Sequence, residues 1–141
     1  MGFKENSDEY NDLFTYSLAD ICSFAGEQVS ELKVQDFIVS QFIDCTPQDF
    51  HKIIATFSFW RKIYTINIDD VIENSVPNGY LIVQNTERPF SYTRAKQKEY
   101  IKLHGCVRNR SGNVVFSNQQ YVDSMLHSTD YRFNSFALDM Q

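Results

Sequence analysis

Apolar residues recur every three or four positions through the first third of the chain and gather into short unbroken runs afterwards, so the pattern predicts helices first and strands later. Tyr10, Leu13, Phe14, Leu18, Ile21, Phe24 and Ala25 mark one stripe of a helix from about residue 9 to 26, with Gly26 as its stop. Ser30 is placed to cap a second helix over about 31–43, whose buried stripe is Val34, Phe37, Ile38 and Phe42. Thr46-Pro47-Gln48-Asp49 reads as a third helix start: Thr46 caps, Pro47 takes the first helical position and Asp49 meets the positive end of the dipole. Phe50, Ile53, Ile54 and Phe57 then form that helix's buried face.

At residue 62 the period changes. Lys62 to Ile68 is rich in β-branched and aromatic residues, as a strand of a largely buried sheet should be, and Asp70-x-x-Glu73 follows as a capping box for a short helix. Pro77-Asn78-Gly79 marks a turn, Tyr80–Val83 a second strand, and Gln84 to Lys98 an exposed loop. Tyr100–Leu103 is a third strand and Val114–Phe116 a fourth, after a turn cluster at Asn109 to Asn113. A helix from Asn118 to Leu126, capped by Ser117, and a weaker one from Tyr131 to Met140 complete the chain. The expected fold is α/β, a partial Rossmann-like parallel sheet with an N-terminal helical subdomain: about residues 1–60 helical, about 61–141 α/β. In such sheets ligands bind beyond the carboxyl ends of the strands, where Asn67, Asp69 and His104 would stand.

Composition narrows the function classes. The 141 residues suit one domain, and with 15% aromatic residues, 3 Pro and 5 Gly they are poor material for disorder. A net charge of −5, with the densest basic run holding four Lys/Arg between Arg94 and Lys102, argues against direct nucleic-acid binding. No apolar run approaches the ~20 residues of a membrane span, and the N-terminus has no signal-peptide core, so the cytoplasm is the default location. Cys22, Cys45 and Cys106 form no C-x-x-C pair, which leaves them as reduced thiols packed as small hydrophobes and gives no expectation of a bound metal. Cys106 lies two residues from His104, so a Cys/His nucleophile is conceivable, although no orienting acid lies nearby in the sequence. His51 and His127 fall among polar residues on expected helices and read as solvated surface.

Two short motifs at strand ends carry the chemistry: Thr65-Ile66-Asn67-Ile68-Asp69 and Leu103-His104-Gly105. Asn and Asp after a strand are ordinary turn and cap formers, and His-Gly alone is no more specific. In this order, each at a strand terminus, they resemble the sirtuin-like family, with Asp70-Val71-Ile72-Glu73, Tyr100 to Gly105, Val114 to Ser117 and Tyr121 extending the likeness over about half the chain.

The resemblance implies NAD as substrate and a reaction that breaks its nicotinamide–ribose bond. It implies that Thr65, Asn67, Ile68, Asp69 and Gly105 contact NAD, with Asn67 and His104 catalytic. Asn67 would meet the nicotinamide ribose or its attacking nucleophile, Asp69 would seat the carboxamide, and His104 would be general base on a ribose hydroxyl. Gly105 would let backbone approach the ligand closely.

Departures from the family pattern also matter. The glycine-rich pyrophosphate turn that opens such domains and the later Gly-x-Ser strand find no counterpart here, so the chain reads as an internal slab of an enzyme domain. The four-cysteine zinc module of protein-deacylating sirtuins is also missing, which favours the zinc-less branch typified by NAD-hydrolysing effectors of bacterial antiviral defence. A non-catalytic binding or regulatory module and an NAD-dependent deacylase are the competing expectations. A homo-oligomer or additional domains of a longer parent chain complete the expected partners.

Overall fold

The computed structural model describes residues 12–76, 79–83, 98–109, 114–126 and 130–141. Its centre is a sheet of three strands, β1 (Lys62–Thr65), β2 (Tyr80–Val83) and β3 (Lys98–Lys102), in the order β1-β3-β2 and parallel throughout. Tyr100 in the middle strand is the register partner of both Ile63 and Ile82. Side chains alternate across a strand, so β3 sends Tyr100 and Lys102 to one face and Ile101 and Leu103 to the other. On the first face Tyr100 joins Ala55 and Ile72, from helices α3 (Asp49–Thr56) and α4 (Val71–Ser75). On the second, Ile101 and Leu103 pack with Tyr64 and with Tyr131, Phe133 and Phe136 of helix α6 (Tyr131–Asp139). Tyr64 meets Phe136 edge-on at 5.2 Å, and its hydroxyl donates to Asp139 at 2.6 Å.

A third cluster lies beside the sheet. Helices α1 (Leu18–Gln28) and α2 (Glu31–Phe42) close over Cys22, Val34 and Ile38, against Ile68 from the loop after β1 and Phe116 from the segment before α5 (Asn118–Leu126). Among the described residues no helix is long and apolar enough to cross a membrane.

The helical part departs from its sequence pattern at its boundaries. Helix α1 begins at Leu18, not near residue 9, because Ser17 caps it, accepting from the Asp20 amide at 3.2 Å; a 3-10 turn at Leu13–Thr15 precedes it. Gly26 does not stop the helix, which runs to Gln28. A Cβ at Gly26 would stand 3.3 Å from Glu31 Cγ, so this glycine serves the close return of α2. Ser30 caps α2 as expected, accepting from the Lys33 amide at 3.3 Å. Thr46 does not cap α3. Gln48 holds that position, and its amide donates to Nδ1 of His51 at 2.9 Å, giving His51 a structural bond where a solvated ring was expected. Of the expected apolar stripes, Val34 and Ile38 are buried, whereas Phe37, Phe42, Phe50, Ile53, Ile54 and Phe57 are exposed.

The strands also end earlier than their composition suggests. β1 stops at Thr65 rather than Ile68, and the following residues form a loop. Val114–Phe116 is not a strand. It runs as buried coil, with the Val115 amide donating to the His104 carbonyl at 2.9 Å. Helices α5 and α6 match their expected spans, and Ser117 caps α5 by accepting from the Gln120 amide at 3.3 Å. Tyr10 and the start of the expected first helix, residues 84–97, residues 110–113 of the turn that begins at Asn109, Pro77-Asn78 and His127 lie outside the described residues.

Candidate functional site

Beyond the carboxyl ends of β1 and β3 opens a cavity of about 1130 Å³, larger than the ~300–1,000 Å³ usual for a small-molecule site. Asn67, Ile68 and Asp69 line it from the loop after β1, and His104 from the turn after β3. Ser117, Asn118 and Tyr121 add the start of α5, while α1 and α2 contribute a largely apolar wall that includes Leu18, Val29, Phe37 and Phe42. The exposed phenylalanines of α2 therefore face this space.

Each strand-end residue is held differently. Asn67 is exposed; its amide N–H donates to Thr65 Oγ1 at 3.0 Å, and among the described residues its carboxamide has no hydrogen-bond partner. Asp69 is tied to the start of the next helix, its Oδ1 accepting from the Val71 amide at 3.1 Å while Asp70 holds the N-cap position. A carboxylate has a second oxygen, and Asp69 also lines the cavity. His104 is half-buried, its ring edge-on to Tyr121 at 5.6 Å. Burial, helped by the positive charge of Arg132, pushes the imidazole below its usual range and favours the neutral, proton-accepting form near pH 7.

Thr65 and Gly105 do not line the cavity. Thr65 shapes the loop through Asn67, and Gly105 is a buried turn residue at φ 84°, a backbone angle that side-chain-bearing residues rarely adopt. Cys106 does not line it either. Its thiol is packed against Lys102 and Glu73, and burial, reinforced by the Glu73 charge, pushes it up, the opposite of what a nucleophile needs. The Cys/His pairing is thereby set aside, since the two side chains serve different surroundings.

Asp70 and Glu73 do not form the expected capping box. Asp70 is buried and its carboxylate accepts from the amides of Cys45 at 2.9 Å and Asp44 at 3.1 Å, and from Arg108 Nε at 3.0 Å. Burial alone would raise this carboxyl; the hydrogen bonds from Cys45, Arg108 and Asp44 outweigh it and hold the group below the usual carboxylate range. Asp44, so anchored, sits at φ 58°. Arg108 also donates to Asn74, whose Nδ2 reaches the Cys45 carbonyl at 2.9 Å. This network fastens the loop after β1 to the end of α2.

The SIR2-like domain model matches residues 61–138, more than half of the chain and the whole strand-bearing part of the cavity. The chain belongs to the SIR2-like family. No curated protein matches it. SIR2-like domains use NAD as substrate, and the α/β architecture with its parallel sheet agrees with a partial Rossmann-like fold of this kind. Among the described residues of this SIR2-like domain no cluster of His, Cys, Asp or Glu is arranged to hold a metal ion.

Sequence reasoning took Glu73 for a helix cap and gave Lys102 no role, and so missed the ion pair the two form, buried beneath the site. A signal was present: period-2 alternation in a central strand puts Lys102 on the same inward face as Tyr100, where a lysine needs a counter-charge.

Proposed function

We propose that this chain is part of a SIR2-like NAD glycohydrolase whose parent protein, rather than the isolated 141 residues, hydrolyses NAD at the nicotinamide–ribose bond in the cytoplasm, consuming water and releasing nicotinamide, ADP-ribose and a proton. The observation that carries the reading is the convergence of Asn67, Asp69 and His104 on one cavity. Breaking this bond builds positive charge on ribose C1′, which favours neutral and anionic groups around it over basic side chains. Asn67 brings an unengaged carboxamide, suited to a ribose hydroxyl or the attacking water. Asp69 brings a negative charge and an oxygen able to accept from the carboxamide of nicotinamide. His104, kept neutral by burial, is suited to take a proton from a ribose hydroxyl.

Three dispersed cysteines cannot build a four-cysteine zinc module, which supports the zinc-less, NAD-hydrolysing branch over a protein deacylase and, with it, a role as an effector of antiviral defence.

NAD consumption by the full-length protein tests the reading. Asn67→Ala and His104→Ala are each expected to slow turnover by about 10²–10⁴-fold with the fold intact by circular dichroism. Unchanged turnover in both variants would remove this cavity from the mechanism.

A further inference from the structure

The strand that delivers His104 also carries Lys102, and the Lys102 side chain is wholly buried. Its ammonium makes three contacts, each to a different segment. It donates to the Asp69 carbonyl in the loop after β1, to Glu73 Oε1 of α4 at 2.8 Å, and to Cys106 Sγ in the turn after β3 at 3.3 Å. Taking both charges out of water is costly, and an apolar pair of similar volume would pack there without that cost. The pair is not even fully satisfied, for Glu73 Oε2 is buried and has no partner among the described residues. Stability is therefore a weak reason for this arrangement, whereas an ammonium with three directed donors is well suited to fixing positions.

What it fixes is the spacing of the two halves of the site. The Asn67–Asp69 loop meets the His104 turn through backbone bonds from Leu103 to Thr65 at 2.8 Å and from Val107 to Ile68 at 3.0 Å. Lys102 adds the tie at Asp69, two residues along the chain from His104. We propose that Lys102, balanced by Glu73, is a positioning residue that sets the Asn67–Asp69 loop against His104 without itself touching substrate. The inference rests on the cavity being the NAD site. A displacement of about 1 Å in such a site can cost on the order of 10²-fold in rate.

The test compares Lys102→Met with the double variant Lys102→Met/Glu73→Leu in the full-length protein. The single variant strands the Glu73 charge and is expected to lower Tm; the double variant removes both charges and is expected to recover most of it. Positioning requires that kcat in the double variant stay at least about tenfold below wild type despite the recovered Tm. A kcat that returns together with Tm overturns the proposal.

Hydrogen exchange without NAD supplies a readout independent of activity. The amides of Asn67, Val71 and Val107, each bonded to an atom of the β1 strand end or its loop, should exchange faster in the double variant while Ile101 in β3 stays protected. If Asn67→Ala and His104→Ala leave NAD turnover untouched, the NAD reading fails, and exchange alone decides whether Lys102 holds the loop: unchanged protection at those three amides overturns it. Should the double variant not fold, Glu73→Gln replaces it under the same criterion, selective loosening at the loop supporting the proposal and uniform protection overturning it.

Discussion

On one wall of the cavity, the Asn67–Asp69 loop and the His104 turn rest on buried charges, Asp70 gripping two backbone amides and Lys102 reaching three segments at once. On the opposite wall, α1 and α2 meet over Cys22, Val34 and Ile38 and leave Phe37, 65% exposed, facing the opening. Hydrogen bonds to charged groups are directional, so they fix the position of the segments they join. Apolar contact is non-directional and fixes shape rather than position. The groups proposed to react thus sit on the wall held by directional bonds, and the helices supply an apolar surface held by shape.

The contrast would be broken most forcefully at Asp70. Asp70→Ala leaves two part-buried amides and the Arg108 guanidinium without their acceptor and is expected to cost about 3–5 kcal/mol, read as a lowered midpoint in urea unfolding. If the loss stays below about 1 kcal/mol, the polar wall is not held from beneath.

Acid should sharpen the same contrast. The folded-state pKa of His104 is depressed, so its contribution to stability is intact above the unfolded value of about 6.5 and is lost as pH falls through the folded value. The proposed reaction needs the neutral imidazole, so the acid limb of kcat for NAD loss should lie below pH ~6.5 and steepen to about tenfold per pH unit. A limb above pH 7 would mean that another group is titrating.

Smaller effects belong to the helical wall. Ser30→Ala removes the N-cap of α2 and should cost about 1 kcal/mol in thermal or urea unfolding, with little change in NAD turnover. Phe37→Ser, on the exposed apolar side, should change stability by less than about 0.5 kcal/mol. A large loss there would show that α2 is packed against more than the contacts described above.

Much of this was visible in the sequence wherever the signal is local. Ser30, Ser117 and the β-branched run at residues 62–65 encode their elements through neighbours within a few positions, and the two strand-end motifs mark the loops that line the cavity. Asp70 and Glu73 misled because a capping box is also a local pattern, whereas their actual partners, Cys45, Arg108 and Lys102, lie far along the chain. Val114–Phe116 composes like a strand yet lies as coil, since burial of Val114 and Val115 does not by itself require a ladder. Phe37 and Phe42 fell on a helical stripe as core residues do. Periodicity reports which face a side chain shares, and only the tertiary arrangement decides that this face looks onto a cavity.

The strand order has a consequence for how the chain comes into being. β1 and β2 flank β3 and neither pairs with the other, so both are translated before the partner that hydrogen-bonds them exists. Until Lys98–Lys102 emerges, a nascent chain holds two strands without a partner in this sheet, and unpaired strand edges are the kind of surface that recruits foreign strands. Parallel pairing across long sequence separations also closes slowly. The arrival of a single five-residue strand then pairs the inner edge of both at once, so the interval before it is the one in which neither strand has a partner within this sheet.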